Sequence, residues 1–160
     1  MHTGAILDGA AEMNLESCIG GVLVGSRRLL DWARDNPALR LVSSVHTHGA
    51  SALSRIERFV AINSAVEVDL TGQVNGELAG GSYVGAVGGA LDFVRAANQS
   101  PGGVSIIALP AARIVEKLSG PVSVPRSEAG VIVTERGAAD LRGCGLRERE
   151  RRMLAISGSS

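Results

Sequence analysis

The chain has 160 residues, of which 45% are hydrophobic, so one domain with a sizeable core fits and two domains would be a squeeze. Sixteen Lys and Arg balance sixteen Asp and Glu at a pI near 6.8, which argues against an overall basic field for nucleic acid or an anionic membrane. Trp32, Phe59, Tyr83 and Phe93 are the aromatics, too few for base-stacking platforms, and the core must be built from Val, Ile, Leu and Ala.

Residues 5–16 space Ile6, Ala10, Met13 and Leu15 as a helix does, with Gly20-Gly21 as a stop. A short strand is predicted over Val22–Val24. Ser26 is placed to cap a helix whose apolar side is Leu29, Leu30, Trp32 and Ala33, and Asn36-Pro37 ends it. Leu41–Val45 reads as a strand, and residues 46–50 (HTHGA) as a loop leading into a short helix that ends near Arg58.

From 59 to 77 the chain alternates. Val66, Val68 and Leu70 fall on one side, and Glu67 and Asp69 on the other, the pattern of a half-buried strand with a solvated face. Residues 83–109 then run strand, glycines, helix, turn, strand. Gly85, Gly88 and Gly89 leave bare backbone where a helix begins, so free N–H groups and the positive helix end could meet a phosphate or a developing oxyanion. The alternative reading of these glycines is a tight strand-to-helix turn. After the Ser100-Pro101-Gly102-Gly103 turn, VSIIALP is a continuous apolar run of the kind parallel sheets bury on both faces, and Val131–Thr134 is similar. Residues 146–156 resume helix, and 157–160 read as a frayed tail. Alternating strands and helices favour a layered α/β domain with a mostly parallel sheet.

Cys18 and Cys144 lie far apart with no CxxC, no zinc spacing and no export signal upstream, which suits free thiols in a reducing compartment, and the protein is expected in the cytoplasm. No apolar run approaches the roughly 20 residues needed to span a bilayer.

Four strings carry a resemblance: INSAVEVDLTGQVNGE, the GG-x-x-DFVR segment of residues 88–95, SPGGVSIIALP and VIVTERGAADLRGCGLRER. In order and spacing they resemble the C-terminal domain of the acetyl-CoA hydrolase/transferase family, which includes the 4-hydroxybutyrate CoA-transferases. The resemblance covers nearly the whole chain. It implies a layered αβα, CoA-transferase-like fold, coenzyme A as substrate with no separate cofactor, and acyl-CoA and small carboxylates, or water, as reaction partners. In such enzymes a glutamate carboxylate attacks the thioester, passes through an acyl anhydride and becomes a glutamyl-CoA thioester. That glutamate lies in a segment resembling I-H-T-E-M, where this chain reads Met1-His2-Thr3-Gly4-Ala5. Gly4 supplies neither nucleophile nor base, so the covalent mechanism does not carry over to that position.

Two more departures accompany it. The family's GGQ is Gly88-Gly89-Ala90 here, which keeps the glycine whose N–H is expected to hold the thioester oxygen but removes the neighbouring amide. Between Pro110 and Arg113 several residues of a loop that contacts CoA are missing. The resemblance starts at the first residue, in what is the middle of a family member, and an incomplete enzyme that needs an N-terminal half or a homo-oligomer is expected. The alternative is a non-catalytic acyl-CoA-binding or subunit-like domain, or a decayed fragment.

The remaining polar residues divide between sharp and bland readings. Glu67 and Asp69 could be paired carboxylates, but a solvated strand face is favoured. His46 and His48 form H-x-H, which in an extended loop would point both rings one way. No third ligand follows, so no metal is expected. On the resemblance, His48 lies near a polar residue that approaches the thioester, and His2 neighbours the lost glutamate; both are candidate polar contributors. Asn63 and Asn75 interrupt apolar strands and are expected to pin neighbouring backbone. Arg95 is expected to pair with Asp92, three residues before it, and the RERERR run of 147–152 to be a solvated helix face. Ser64, Ser100 and Ser105 belong to no GxSxG elbow.

Overall fold

The computed structural model describes residues 2–6, 17–53, 55–85 and 88–158. The chain divides into two compact units, residues 1–53 and 54–160.

The first unit is a three-stranded parallel sheet in the order β1 (His2–Ile6), β2 (Cys18–Leu23), β3 (Leu39–Leu41). Helix α1 (Arg27–Ala33) joins β2 to β3 and buries Leu29 against Cys18, with Leu23, Trp32 and Leu39 packed around them. Ser26 is its N-cap, and its carbonyl accepts from Leu29 and Leu30 N–H. Asn36 closes the other end by donating to Trp32 O and accepting from Ala38 N–H. The predicted helix over 5–16 fails at its start, since residues 5 and 6 are strand; residues 7–16 lie outside the described residues. Gly20-Gly21 does not stop an element. It lies inside β2, where Thr3 and Leu41 pair with Gly20 from either side.

A second correction concerns residues 41–50. The predicted strand ends at Leu41, and the predicted HTHGA loop is mostly helical: α2 spans Ser44–His48 and α3 spans Ala50–Leu53. Ser43 opens α2 with its carbonyl bonded to His46 and Thr47 N–H. Gly49 closes it, because a Cβ there would collide with the Val45 carbonyl oxygen.

The second unit is built on a four-stranded sheet in the order β12 (Gly137–Asp140), β11 (Val131–Thr134), β9 (Val104–Ala108), β4 (Val60–Ser64). The strands β4, β9 and β11 are parallel, while β12 returns antiparallel through a two-residue hairpin. Helix α4 (Ala90–Gln99) packs on β4 and β9, and α5 (Leu146–Ala155) packs on β12. A smaller sheet sets β5 (Glu67–Asp69) between β10 (Ile114–Val115), parallel, and β6 (Val74–Asn75), antiparallel. Leu78–Ala79 (β7) and Ser82–Tyr83 (β8) form a separate hairpin. One core joins them: Val68 and Val74 of the small sheet, Val94 of α4, Ile107 and Ile132 of the large sheet, and Met153 of α5.

The large sheet is not buried on both faces as the apolar runs suggest. Ile107 and Ile132 are fully enclosed, whereas Val60 and Ile62 on the opposite face are 51% and 69% exposed and Ile106 is half-buried between them and Val131. The reason is topological. Both parallel connections step the same way along the sheet, and with a constant handedness they lay α4 and the small sheet on one side.

Helix α4 shows how local sequence sets an element. Ala90, Leu91, Val94 and Ala97 recur on one side and pack inward, Asp92 sits in the first turn where the helix dipole favours an acid, and Ser100-Pro101 ends it. The Ser100 hydroxyl ties that end to the next layer, donating to Ile56 O and accepting from Phe59 N–H at 3.0 Å. Near the C-terminus, Ser157 is buried and Gly158 N–H donates to Ala111 O, so the stretch read as a frayed tail begins packed.

Candidate functional site

In a parallel α/β sheet, helices start at the edge where strands end, and that edge is where ligands meet free backbone N–H groups. Here the edge carries Ser64, Ala108 and Thr134, the last residues of β4, β9 and β11, together with the start of α4. Gly89 is the N-cap of α4, and no side chain caps the helix. Gly88 is exposed and Gly89 half-buried, so the backbone leading into the helix is open to a ligand. Gly85 is held differently. Its N–H and that of Val84 both donate to Glu77 O, and a Cβ on Gly85 would collide with the Gly76 carbonyl oxygen. Glycine is therefore required at 85 for packing alone. Residues 86 and 87 lie outside the described residues.

The short link after β9 is compact. Ala111–Arg113 forms one 3-10 turn, fastened by Ala111 N–H donating to Glu135 Oε2 at 2.9 Å. That bond holds the Glu135 carboxyl below the usual carboxylate range.

His2 and Gly4 lie on β1, in the first unit, and α2, which carries His48, packs against that strand. The ring of His48 is engaged: Nδ1 lies 2.7 Å from Thr47 Oγ1. The extended H-x-H geometry is absent, because His46 and His48 sit two residues apart on a helix, where side chains diverge by about 200°. Among the described residues no three His, Cys, Asp or Glu side chains gather as a metal site.

Glu67 and Asp69 reverse the sequence reading: both are buried, at 8% and 4% exposure. Asp69 organises its own turn, accepting from Thr71 N–H, Thr71 Oγ1 and Gln73 N–H on one oxygen and from Gln73 Nε2 on the other. Glu67 Oε1 accepts from Asn75 Nδ2 at 3.0 Å, Ser119 Oγ at 2.9 Å and Ser119 N–H. Burial pushes each carboxyl up, but these donors together outweigh it and hold both below the ordinary carboxylate value. Asn75, fully buried, is completely satisfied: Nδ2 also donates to Leu78 O, and Oδ1 accepts from Glu77 and Leu78 N–H. Glu77, also buried, accepts from Ser123 Oγ, which in turn accepts from Gly76 N–H. The carboxylates belong to a structural network. Period-two alternation located them correctly, but it could not show that the 119–123 segment covers their side of the strand.

Three further side chains depart from or complete the expectation. Arg95 pairs with Glu128 at 3.2 Å instead of Asp92. Arg149, inside the run read as solvated, is buried and donates to the Cys144, Thr71 and Arg126 carbonyl oxygens. Asn63 differs from Asn75: its Nδ2 is buried without a hydrogen bond. Ser105 donates to Asn98 Oδ1 and Ser100 ties α4 as described, so neither is a free nucleophile.

Comparison with known proteins bears on the family and the fold. Residues 25–160 match the family described as acetyl-CoA hydrolase/transferase C-terminal domain. The chain is 36% identical over 144 residues to the 4-hydroxybutyrate coenzyme A transferase of Clostridium kluyveri, covering 84% of this chain and 34% of that protein. It is 33% identical over 145 residues to the butyryl-CoA:acetate CoA-transferase of Anaerostipes caccae, covering 83% and 32%. The crystal structure of RipA from Yersinia pestis superposes with a TM-score of 0.87 at 30% identity, over 98% of this chain and 40% of that one. The chain thus spans about a third of the length of the curated relatives it matches. It belongs to the acetyl-CoA hydrolase/transferase family and carries that family's C-terminal domain.

Proposed function

We propose that the chain supplies the thioester-holding part of an acyl-CoA:carboxylate CoA-transferase or acyl-CoA hydrolase, with Gly88 and Gly89 as its contact to the ligand. The observation that carries this reading is the uncapped start of α4 at Gly89. An amide N–H aimed at the thioester oxygen would stabilise charge that develops there as the carbonyl is attacked, and the helix dipole adds to it. Coenzyme A is the substrate's carrier, and acyl-CoA and small carboxylates are the partners this chemistry takes. Gly85 supports the loop through its fit against Gly76.

On the family resemblance Gly4 replaces the nucleophilic glutamate, and this favours a second reading: a domain that binds acyl-CoA without forming a covalent intermediate. The two readings separate by turnover, since only the first converts acetyl-CoA to acetate, with CoA passing to an acceptor carboxylate in transfer or leaving as the free thiol in hydrolysis.

The site itself is tested by Gly89→Val and isothermal calorimetry with acetyl-CoA. The backbone at Gly89 (φ −80°, ψ 8°) accepts a side chain, so the variant is expected to fold as judged by circular dichroism. Binding is expected to fall below detection. A folded variant with unchanged affinity removes the loop from the site.

A further inference from the structure

Among the described residues, Asn63 Nδ2 is the one enclosed side-chain nitrogen or oxygen with no hydrogen-bond partner. Leaving such a group without a partner is unfavourable, and buried amides are almost always satisfied. The position does not demand an amide for packing, because its neighbours along the same face, Ala61 and the paired Ile107, are apolar.

The placement of this amide follows from the strand and the helix. Ala61 and Asn63 share one face of β4 by period-two alternation, and Phe59, just before the strand, continues it, its carbonyl accepting from Val104 N–H. That is the face α4 covers, since the Phe59 and Phe93 rings lie 6.1 Å apart. Phe59 and Ser100 are tied at one end by the 3.0 Å bond from Phe59 N–H to Ser100 Oγ. From that shared anchor, four strand residues carry Asn63 about 13 Å along the sheet. Eleven residues back along the helix carry Gly89 about 16 Å the same way. Asn63 therefore stands beneath the first turn of α4, at the strand-ending edge where Gly88 and Gly89 open to solvent. The residue as a whole is only half-buried, so part of its surface faces solvent at this edge although the nitrogen is enclosed.

We infer that Asn63 is a second ligand contact, its side-chain amide donating to the acyl oxygen of the thioester held over Gly88 and Gly89. The inference rests on the proposed function and deepens it by naming a side-chain donor beside the backbone one. An amide that finds no partner inside the protein keeps its hydrogen-bonding capacity for a carbonyl oxygen. Free CoA lacks that oxygen and gains nothing from Asn63.

The test compares acetyl-CoA and free CoA by calorimetry on the wild-type chain, Asn63→Ala and Asn63→Asp, with the ¹⁵N side-chain amide resonance of Asn63 followed in the wild type. Both variants are expected to lose about tenfold in affinity for acetyl-CoA and to keep their affinity for CoA, and the resonance is expected to move with acetyl-CoA alone. The ratio of the two affinities separates a ligand contact from a structural role, which would change both alike. Unchanged ratios with a normal wild-type titration overturn the inference while leaving the Gly88–Gly89 site in place; they would mean that the amide meets only a water molecule. A wild-type chain that binds neither compound overturns the function and this inference together.

Discussion

Asn63 and Asn75 are twelve residues apart in sequence and both lie in short strands, yet the molecule treats them in opposite ways. Asn75 makes four hydrogen bonds and joins Glu67 to the backbone of 77 and 78. Asn63 leaves an enclosed N–H group unpaired. The satisfied amide holds the loop after β6 in place, and the unsatisfied one stands where the sheet edge meets the helix start. The lesson is that burial alone does not show how a polar residue is used; the state of its hydrogen bonds separates an amide that pins backbone from one that does not.

The contrast can be broken most forcefully at Asn75. Asn75→Ala removes a donor from a buried carboxylate and an acceptor from two N–H groups, and a loss of about 3 kcal/mol in urea unfolding is expected. A loss below about 1 kcal/mol would mean that water replaces the amide and the network is not structural. A middle-sized effect comes from acid. Glu67 and Asp69 titrate below their ordinary values when folded, so the stability they add is complete above about pH 5 and is lost as pH falls through their folded values. The urea midpoint should therefore drop between pH 5 and pH 3. Glu67→Gln, already uncharged, should show a shallower drop, and an equal slope would remove Glu67 from the pH response. The smallest effect is expected at Asn63. Asn63→Ala deletes an unpaired group and leaves only a small cavity, so its unfolding free energy should stay within about 0.5 kcal/mol of wild type. A loss near that of Asn75→Ala would place both amides in the same structural class.

How much of this was legible in the sequence depends on the range of the interactions involved. The strand, glycine, helix and strand order of 83–109 follows from local pattern, and so do α1 and α5. The segments that misled depend on distant partners. Glu67 and Asp69 alternate as a solvated face would, but Ser119 approaches from 52 residues away and converts that face into an interior. Arg149 sits in a mixed-charge run, where period and composition both suggest solvent, and two of its three carbonyl acceptors lie 23 and 78 residues upstream. The HTHGA segment failed for a local reason: Ser43 and Gly49 bracket a helix of five residues, too short for hydrophobic periodicity to register. Of the three glycines that the sequence groups together, Gly85 is fixed by a long-range approach, the Gly76 carbonyl oxygen, which local pattern does not reveal.

Arg149 has a further consequence for the order in which the second unit can be completed. Its guanidinium binds the turn at Thr71, the turn at Arg126 and the end of the segment leading into α5. During synthesis the first two turns emerge long before the arginine that fastens them. Gly72 leaves the guanidinium its room, since a Cβ there would lie 3.0 Å from Arg149 Nη1. Closure of this unit is thus governed by contacts of high sequence separation, and α5 carries the side chain that latches the two earlier turns.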